Sequence, residues 1–174
     1  MKLRFGVNKA AYWASRYSYP KSDDPLNGPL RQAVREQGFF TLDQVLEVCR
    51  WKSPRTVPKI EKNDPAFVKT VTGIAVSTTD ERLRVEVLTL LDGVGWPVAS
   101  VLLHYGVSDD YPILDVRALW SLSKDVKSYE YKFALWDSYL RTCRALSAEA
   151  GVSIRELDKA LWQYSKEKQS KRRG

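Results

Sequence analysis

Leu91-Asp92-Gly93-Val94-Gly95-Trp96-Pro97-Val98-Ala99-Ser100-Val101-Leu102-Leu103 is the stretch that decides how this chain of 174 residues is read. Two glycines one residue apart let the backbone turn tightly and approach a ligand closely. A helix starts directly behind them, with Pro97 in its first turn, where a missing N–H costs least. The first N–H groups of that helix lack intrahelical partners and carry partial positive charge, so a phosphate could be held by backbone alone. The same residues would equally make an ordinary helix–helix turn. Ahead of them, Thr78-Thr79-Asp80-Glu81 reads as a capping box that opens a helix burying Leu83, Val87, Leu90 and Leu91.

Working outward, the chain reads as helix after helix, and sustained strand alternation is absent. Thr41-Leu42-Asp43-Gln44 is a capping box followed by Leu42, Val45, Leu46 and Cys49 at helical spacing. Asp64-Pro65 opens a helix with Val68, Val71 and Ala75 on one face. Tyr129, Phe133, Trp136, Leu140 and Cys143 form a long amphipathic stripe that Gly151 ends. Ser153-Ile154-Arg155-Glu156 is a further capping box, followed by Leu157, Leu161 and Tyr164. The segments 19–29 and 53–58, rich in breakers, read as loops. The expectation is an all-α protein of about eight or nine helices.

Composition narrows the class. The apolar share of 44% and the charged share of 28% are ordinary for a globular chain. No apolar run approaches the roughly 18 residues of a membrane span, and no apolar leader follows Met1, so neither membrane insertion nor secretion is expected. Two cysteines, Cys49 and Cys143, are too few for a disulfide framework or a four-thiolate zinc or iron–sulfur site. Both fall on apolar helix faces, and a reducing cytoplasm fits them. His104 is the only histidine, so histidine-based catalysis or a histidine metal cluster is not expected. The net charge is +7, and the tail from Ser165 to Gly174 carries +4 of it through Lys166, Lys168, Lys171, Arg172 and Arg173 against Glu167. Such a tail is either a solvated end or a contact with a polyanion. Arg50-Trp51-Lys52-Ser53-Pro54-Arg55-Thr56-Val57-Pro58-Lys59 has four cations and no acid. It is either an exposed loop or a rigid segment with Arg50, Lys52, Arg55 and Lys59 on phosphates.

Downstream of the glycines runs Pro112-Ile113-Leu114-Asp115, an extended apolar segment meeting a helix over Val116–Leu122. Taken alone, Asp115 is an N-cap, kept ionised by the helix start. Taken with Leu91-Asp92-Gly93-Val94-Gly95 and Ala99, it gives a pattern that resembles the helix-hairpin-helix DNA glycosylases of base-excision repair. The string Pro112-Ile113-Leu114-Asp115 is most similar to the adenine-glycosylase type. The likeness spans about forty residues, Leu83 to Leu122.

The resemblance implies two helical lobes flanking a groove. The hairpin lobe would cover about 63–126 and the other lobe would come from both chain ends, within one domain of residues 1–164 followed by the basic tail 165–174. It further implies that Gly93, Val94 and Gly95, with Trp96, grip a phosphate of duplex DNA, and that the carbonyls of Thr89, Leu91 and Val94 can hold a monovalent cation. Asp115 matches the catalytic aspartate. Pro97 stands where bifunctional members carry a nucleophilic lysine, so a reaction without strand cleavage is implied, and the amines of Lys69 and Lys124 are the nearest alternatives in sequence. Asp92 departs from the family's usual proline and brings an acid near the phosphate. An iron–sulfur cluster is not expected, for want of cysteines.

Trp13, Tyr17, Trp51 and Trp96 lie near breaks or in the hairpin. They are candidates to line a base pocket or to wedge into DNA, or else they belong to the core, as Trp136 and Tyr139 do. A base inside a duplex must be flipped out to be reached, and a fixed carboxylate then stabilises positive charge developing on the sugar. The expected protein is a monomeric, cytoplasmic, monofunctional DNA glycosylase (nucleoid-associated if bacterial). A helix-hairpin-helix DNA-binding module without catalysis and a helical interaction protein are the alternatives.

Overall fold

A computed structural model describes residues 1–20, 26–125 and 130–169. Every regular element among them is helical. The α-helices are α1 (Ala10–Ser15), α2 (Arg31–Gln37), α3 (Leu42–Lys52), α4 (Val57–Ile60), α5 (Pro65–Ser77), α6 (Glu81–Leu88), α7 (Trp96–Gly106), α8 (Val116–Ser121), α9 (Phe133–Ala150) and α10 (Ile154–Lys168). No helix among the described residues is long and apolar enough to cross a membrane.

The helices form two compact units, one built from residues 20–111 and one from 1–19 with 112–174. The boundaries differ from the expected lobe of 63–126. Residues 20–62 belong with the hairpin because α2 and α3 pack on α7. Residues 112–125, with Asp115, belong with the chain ends because α8 packs on α10.

In the unit of 20–111, α7 is the central helix. Every residue from Val98 to Gly106 is buried, as a helix apolar around its whole circumference requires. Its one imidazole is satisfied there: His104 Nδ1 lies 2.8 Å from Tyr111 O. Around it, α3 begins with the expected capping box at Thr41 and Gln44. Asp64 caps α5 by accepting the Phe67 N–H at 2.9 Å. Thr72 of α5 accepts the Phe40 N–H at 2.9 Å and pins the chain entering α3. The cap of α6 is Asp80, accepting from Leu83 N at 2.7 Å, while Thr78 instead accepts from Asp80 N. The buried face of α6 is correspondingly Val85, Val87 and Leu88, and Leu83 and Leu90 are exposed. Arg84 then spans back to the C-terminal end of α5, donating to Ala75 O at 2.7 Å and to the Val76 and Thr78 carbonyls that the helix leaves unpaired. The segment 53–58, expected as a loop, is a 3₁₀ turn at Pro54–Thr56 running into α4. Proline is tolerated in both because each sits in a first turn. Of the expected loop 19–29, residues 21–25 lie outside the described residues.

In the other unit, α10 is the organising helix, with α1, α8 and α9 against it. Leu157 and Leu161 are buried as expected, while Tyr164 is partly exposed. On α9, Trp136, Leu140 and Cys143 are buried and Gly151 closes the helix at φ +65°; Tyr129 lies outside the described residues. The N-terminal strand of chain closes onto α8 through Lys2 N→Leu122 O (3.0 Å) and Arg4 N→Ser121 O (2.9 Å). The basic tail does not begin at Ser165. Residues Ser165 to Lys168 complete α10, Ser165 is fully buried, and Glu167 pairs with Arg16, the residue that follows α1, at 2.9 Å. The remaining basic residues of the tail, Lys171, Arg172 and Arg173, lie outside the described residues.

Both cysteines are buried. Burial pushes the Cys49 thiol up to about 12 and raises Cys143 well above its ordinary value, so both behave as small apolar groups.

Candidate nucleic-acid interface and carboxylate site

The hairpin between α6 and α7 is built on Gly93. Its φ of +82° is a conformation that L side chains rarely adopt. A Cβ there would lie 2.8 Å from Ile60 Cγ1 and 3.0 Å from Thr56 O and Lys59 Cβ. The turn is therefore seated directly on the segment 56–60. Asn63 holds it from the same side: its Oδ1 accepts the Asp92 N–H at 2.8 Å, and its Nδ2 donates to Asp92 O at 3.0 Å. Val94 is buried and its N–H donates to Leu91 O at 3.0 Å, closing the turn.

Gly95 is exposed and is the N-cap of α7, with no side chain capping it. The N–H groups of Gly93, Gly95 and Trp96 have no hydrogen-bond partner among the described residues. They are the donors that a phosphate would take. The Thr89 and Val94 carbonyls accept no hydrogen bond among the described residues, and that of Leu91 accepts only from Val94. The Asp92 carboxylate is on an exposed residue at the tip of the turn.

The cationic stretch 50–59 belongs to the same unit, and its end forms the seat of Gly93. Arg50, Arg55 and Lys59 are exposed and Lys52 is half-buried. Trp51, expected as a stacking or wedging ring, is only 8% exposed and stands edge-on to Tyr105 at 6.4 Å, so it is spent on packing. Trp96 is half-buried at the first position of α7.

Asp115 sits in the other unit. Its backbone is extended, and its Oδ1 accepts the Arg117 N–H at 2.8 Å, so it caps α8 as the sequence predicts. What holds it there comes from α9 and α10. Asp158, 4% exposed, accepts the Ile113 N–H at 2.9 Å, and fully buried Tyr139 donates to Ile113 O at 2.9 Å. The two side chains satisfy both backbone groups of a buried residue that lies outside any helix.

Three phenols feel the Asp115 carboxylate. Burial and then its charge raise Tyr19 and Tyr131 above the ordinary phenol range. Tyr139 is raised well above it, by burial first and then by Cys143, Asp158 and Asp115. The Asp115 charge thus adds to burial in keeping these phenols neutral. The sequence reading missed Tyr19, Tyr131 and Asp158 altogether and gave Tyr139 only a core role. Asp158 left one signal, an acid placed beside Leu157 and Leu161 on the apolar side of its helix.

Trp13, the other expected stacking tryptophan, is 8% exposed and packs edge-on against Tyr164 at 5.1 Å. Its ring belongs to the α1–α10 packing and is not a wedge. Tyr17 is half-buried and lies nearly parallel to Tyr19. No family model, no curated protein and no solved structure compared with the chain matches it.

Proposed function

We propose that this protein is a monofunctional DNA glycosylase that hydrolyses the bond between a damaged or modified base and its sugar in duplex DNA. The observation that carries the reading is Asp115. It is a partly exposed carboxylate at the start of α8, on a segment fixed by the clamp on Ile113. In the reaction, the nucleotide leaves the stack, the glycosidic bond lengthens, and positive charge grows on the sugar. A fixed anion stabilises that charge more than it stabilises the neutral ground state. Water adds at C1′, the base departs with a proton, and an intact strand with an abasic site remains.

The hairpin supports the DNA part of the reading. Its unpaired Gly93, Gly95 and Trp96 N–H groups offer a phosphate site, and the exposed cation Lys59 belongs to the segment on which the turn is seated. A monovalent cation on the Thr89, Leu91 and Val94 carbonyls would add positive charge beside that phosphate and offset the Asp92 carboxylate. The non-catalytic alternative is favoured by one observation, the engagement of Asp115 Oδ1 as a helix cap.

The test is a panel of duplexes, each with one lesion or mispaired base, incubated with the protein and then treated with alkali to break any abasic site. Cleavage of one substrate by the wild type, lost in Asp115→Asn while binding and melting temperature are kept, is the expected result. Asparagine caps a helix as well as aspartate does, so the substitution removes charge and not the cap. Equal cleavage by both proteins, or none across the panel with tight duplex binding, overturns the catalytic reading.

A further inference from the structure

The unit built from the chain ends carries a cluster of rings and cations that the hairpin reading does not use. Tyr17 and Tyr19 lie within 13° of parallel, with centroids 6.1 Å apart. Trp162 of α10 stands edge-on to both, at 5.3 and 5.5 Å. All three rings are partly exposed. Over Tyr17 sit the Arg155 guanidinium at 5.5 Å and the Lys159 ammonium at 5.6 Å. Over Trp162 sit Arg117 at 5.6 Å and Lys166 at 5.1 Å.

The arrangement follows from α10. Arg155, Lys159, Trp162 and Lys166 recur at spacings of four, three and four, which puts them on one stripe of the helix. Among the described residues, Glu156 closes the Ser153 capping box, Asp115 caps α8 and Glu167 pairs with Arg16. The stripe thus interleaves cations with flat aromatic faces.

An unpaired nucleotide offers the matching chemistry, a base with a π-face and a phosphate beside it. Duplex DNA matches less well, because its base faces are covered by stacking. A cation beside an aromatic face can meet a phosphate while the ring takes the base. We infer that the Tyr17–Tyr19–Trp162 cluster, with Arg155 and Lys159, binds an unpaired DNA strand by stacking and phosphate contact. This binding needs no base excision and goes beyond the glycosylase reading.

The experiment follows fluorescence anisotropy of labelled d(T)12 on the full chain, at several salt concentrations, beside a matched duplex. Saturable binding is expected, with Trp162→Ala about tenfold weaker and Trp162→Phe within about twofold of wild type. The double variant Arg155→Gln/Lys159→Gln leaves the rings in place. It should lower the salt slope by about 1.4, for two lost contacts to a single strand. Absence of d(T)12 binding overturns the inference. So does an unchanged affinity in folded Trp162→Ala together with an unchanged slope in the double variant. Competition by inorganic polyphosphate as effective as unlabelled d(T)12 would show a purely ionic patch and would also overturn it. The readout uses no lesion, so its failure leaves the glycosylase reading standing, and the reverse holds.

Discussion

Asp158 shows how a single buried side chain fixes a residue that sits elsewhere in the chain. A carboxylate at 4% exposure is costly unless its hydrogen bonds are made. Here it is placed to accept from Ile113 N, and Tyr139 takes the carbonyl of the same residue. Asp158→Ala leaves a buried N–H unpaired, which costs about 1–3 kcal/mol. Thermal or denaturant unfolding should register that loss. Asp158→Asn keeps an acceptor and should recover most of it. On the proposed function, Asp158→Ala also lowers excision more than it lowers DNA affinity, because the Asp115 segment loses its clamp. An unfolding midpoint equal to wild type would show that the clamp carries no stability. Asp115 itself was legible in the sequence, because a cap at an extended-to-helix junction is a local pattern. Tyr19, Tyr131 and Asp158 were not, because the bond from Ile113 to Asp158 and the influence of Asp115 on the two phenols join residues far apart in sequence, which no local spacing marks.

At the scale of elements, the hairpin and the last turn of α10 each make a sharp expectation. Gly93→Ala puts a side chain at φ +82° and against Ile60, Lys59 and Thr56. Destabilisation of more than about 1 kcal/mol is expected, because both the backbone and the seat must shift. Gly95→Ala, with φ −97° and only Pro97 Cδ near its Cβ at 3.9 Å, should cost much less. Comparable melting temperatures for the two variants would contradict the seating of the turn. For the tail that follows α10, the change to make is removal of residues 170–174. It should reduce the salt slope of duplex binding by about 0.9 for each cation that touches a phosphate. Removal from residue 165 onward takes buried Ser165 and the Arg16–Glu167 pair, and should destabilise the unit. Helices were the legible part of the fold, since their caps and apolar stripes are written within a few residues, as at Thr41, Asp64 and Ser153. The face of α6 was read only in part: Val87 and Leu91 are buried as expected, but Leu83 and Leu90 are leucines left exposed, and hydrophobicity alone does not oblige burial. The segment 53–58 was misread because its prolines occupy first turns, where they start helices instead of breaking them.

At the scale of the whole molecule, the proposed chemistry turns on which amines the fold offers. A reaction that also cleaves the strand needs a lysine to attack the sugar, and that lysine must be neutral enough to act. Burial or a neighbouring cation is what lowers an amine's pKa. In the unit of 20–111, the helix behind the hairpin carries Pro97 in its first turn, whose ring nitrogen is part of an amide. Lys69 of α5 is exposed and rests over Phe39 at 4.5 Å. In the unit with Asp115, Lys124 is exposed at a recess of about 560 Å³, and Lys159 rests over Tyr17 at 5.6 Å. None of the three is buried. The expected outcome is cleavage of the glycosidic bond alone. Borohydride added during reaction with the preferred lesion duplex should trap no protein–DNA adduct, and the strand should break only on alkali treatment. A covalent adduct would falsify the monofunctional assignment. Its loss in Lys124→Ala, Lys159→Ala or Lys69→Ala would then identify the amine, and with it the face of the protein that meets the sugar.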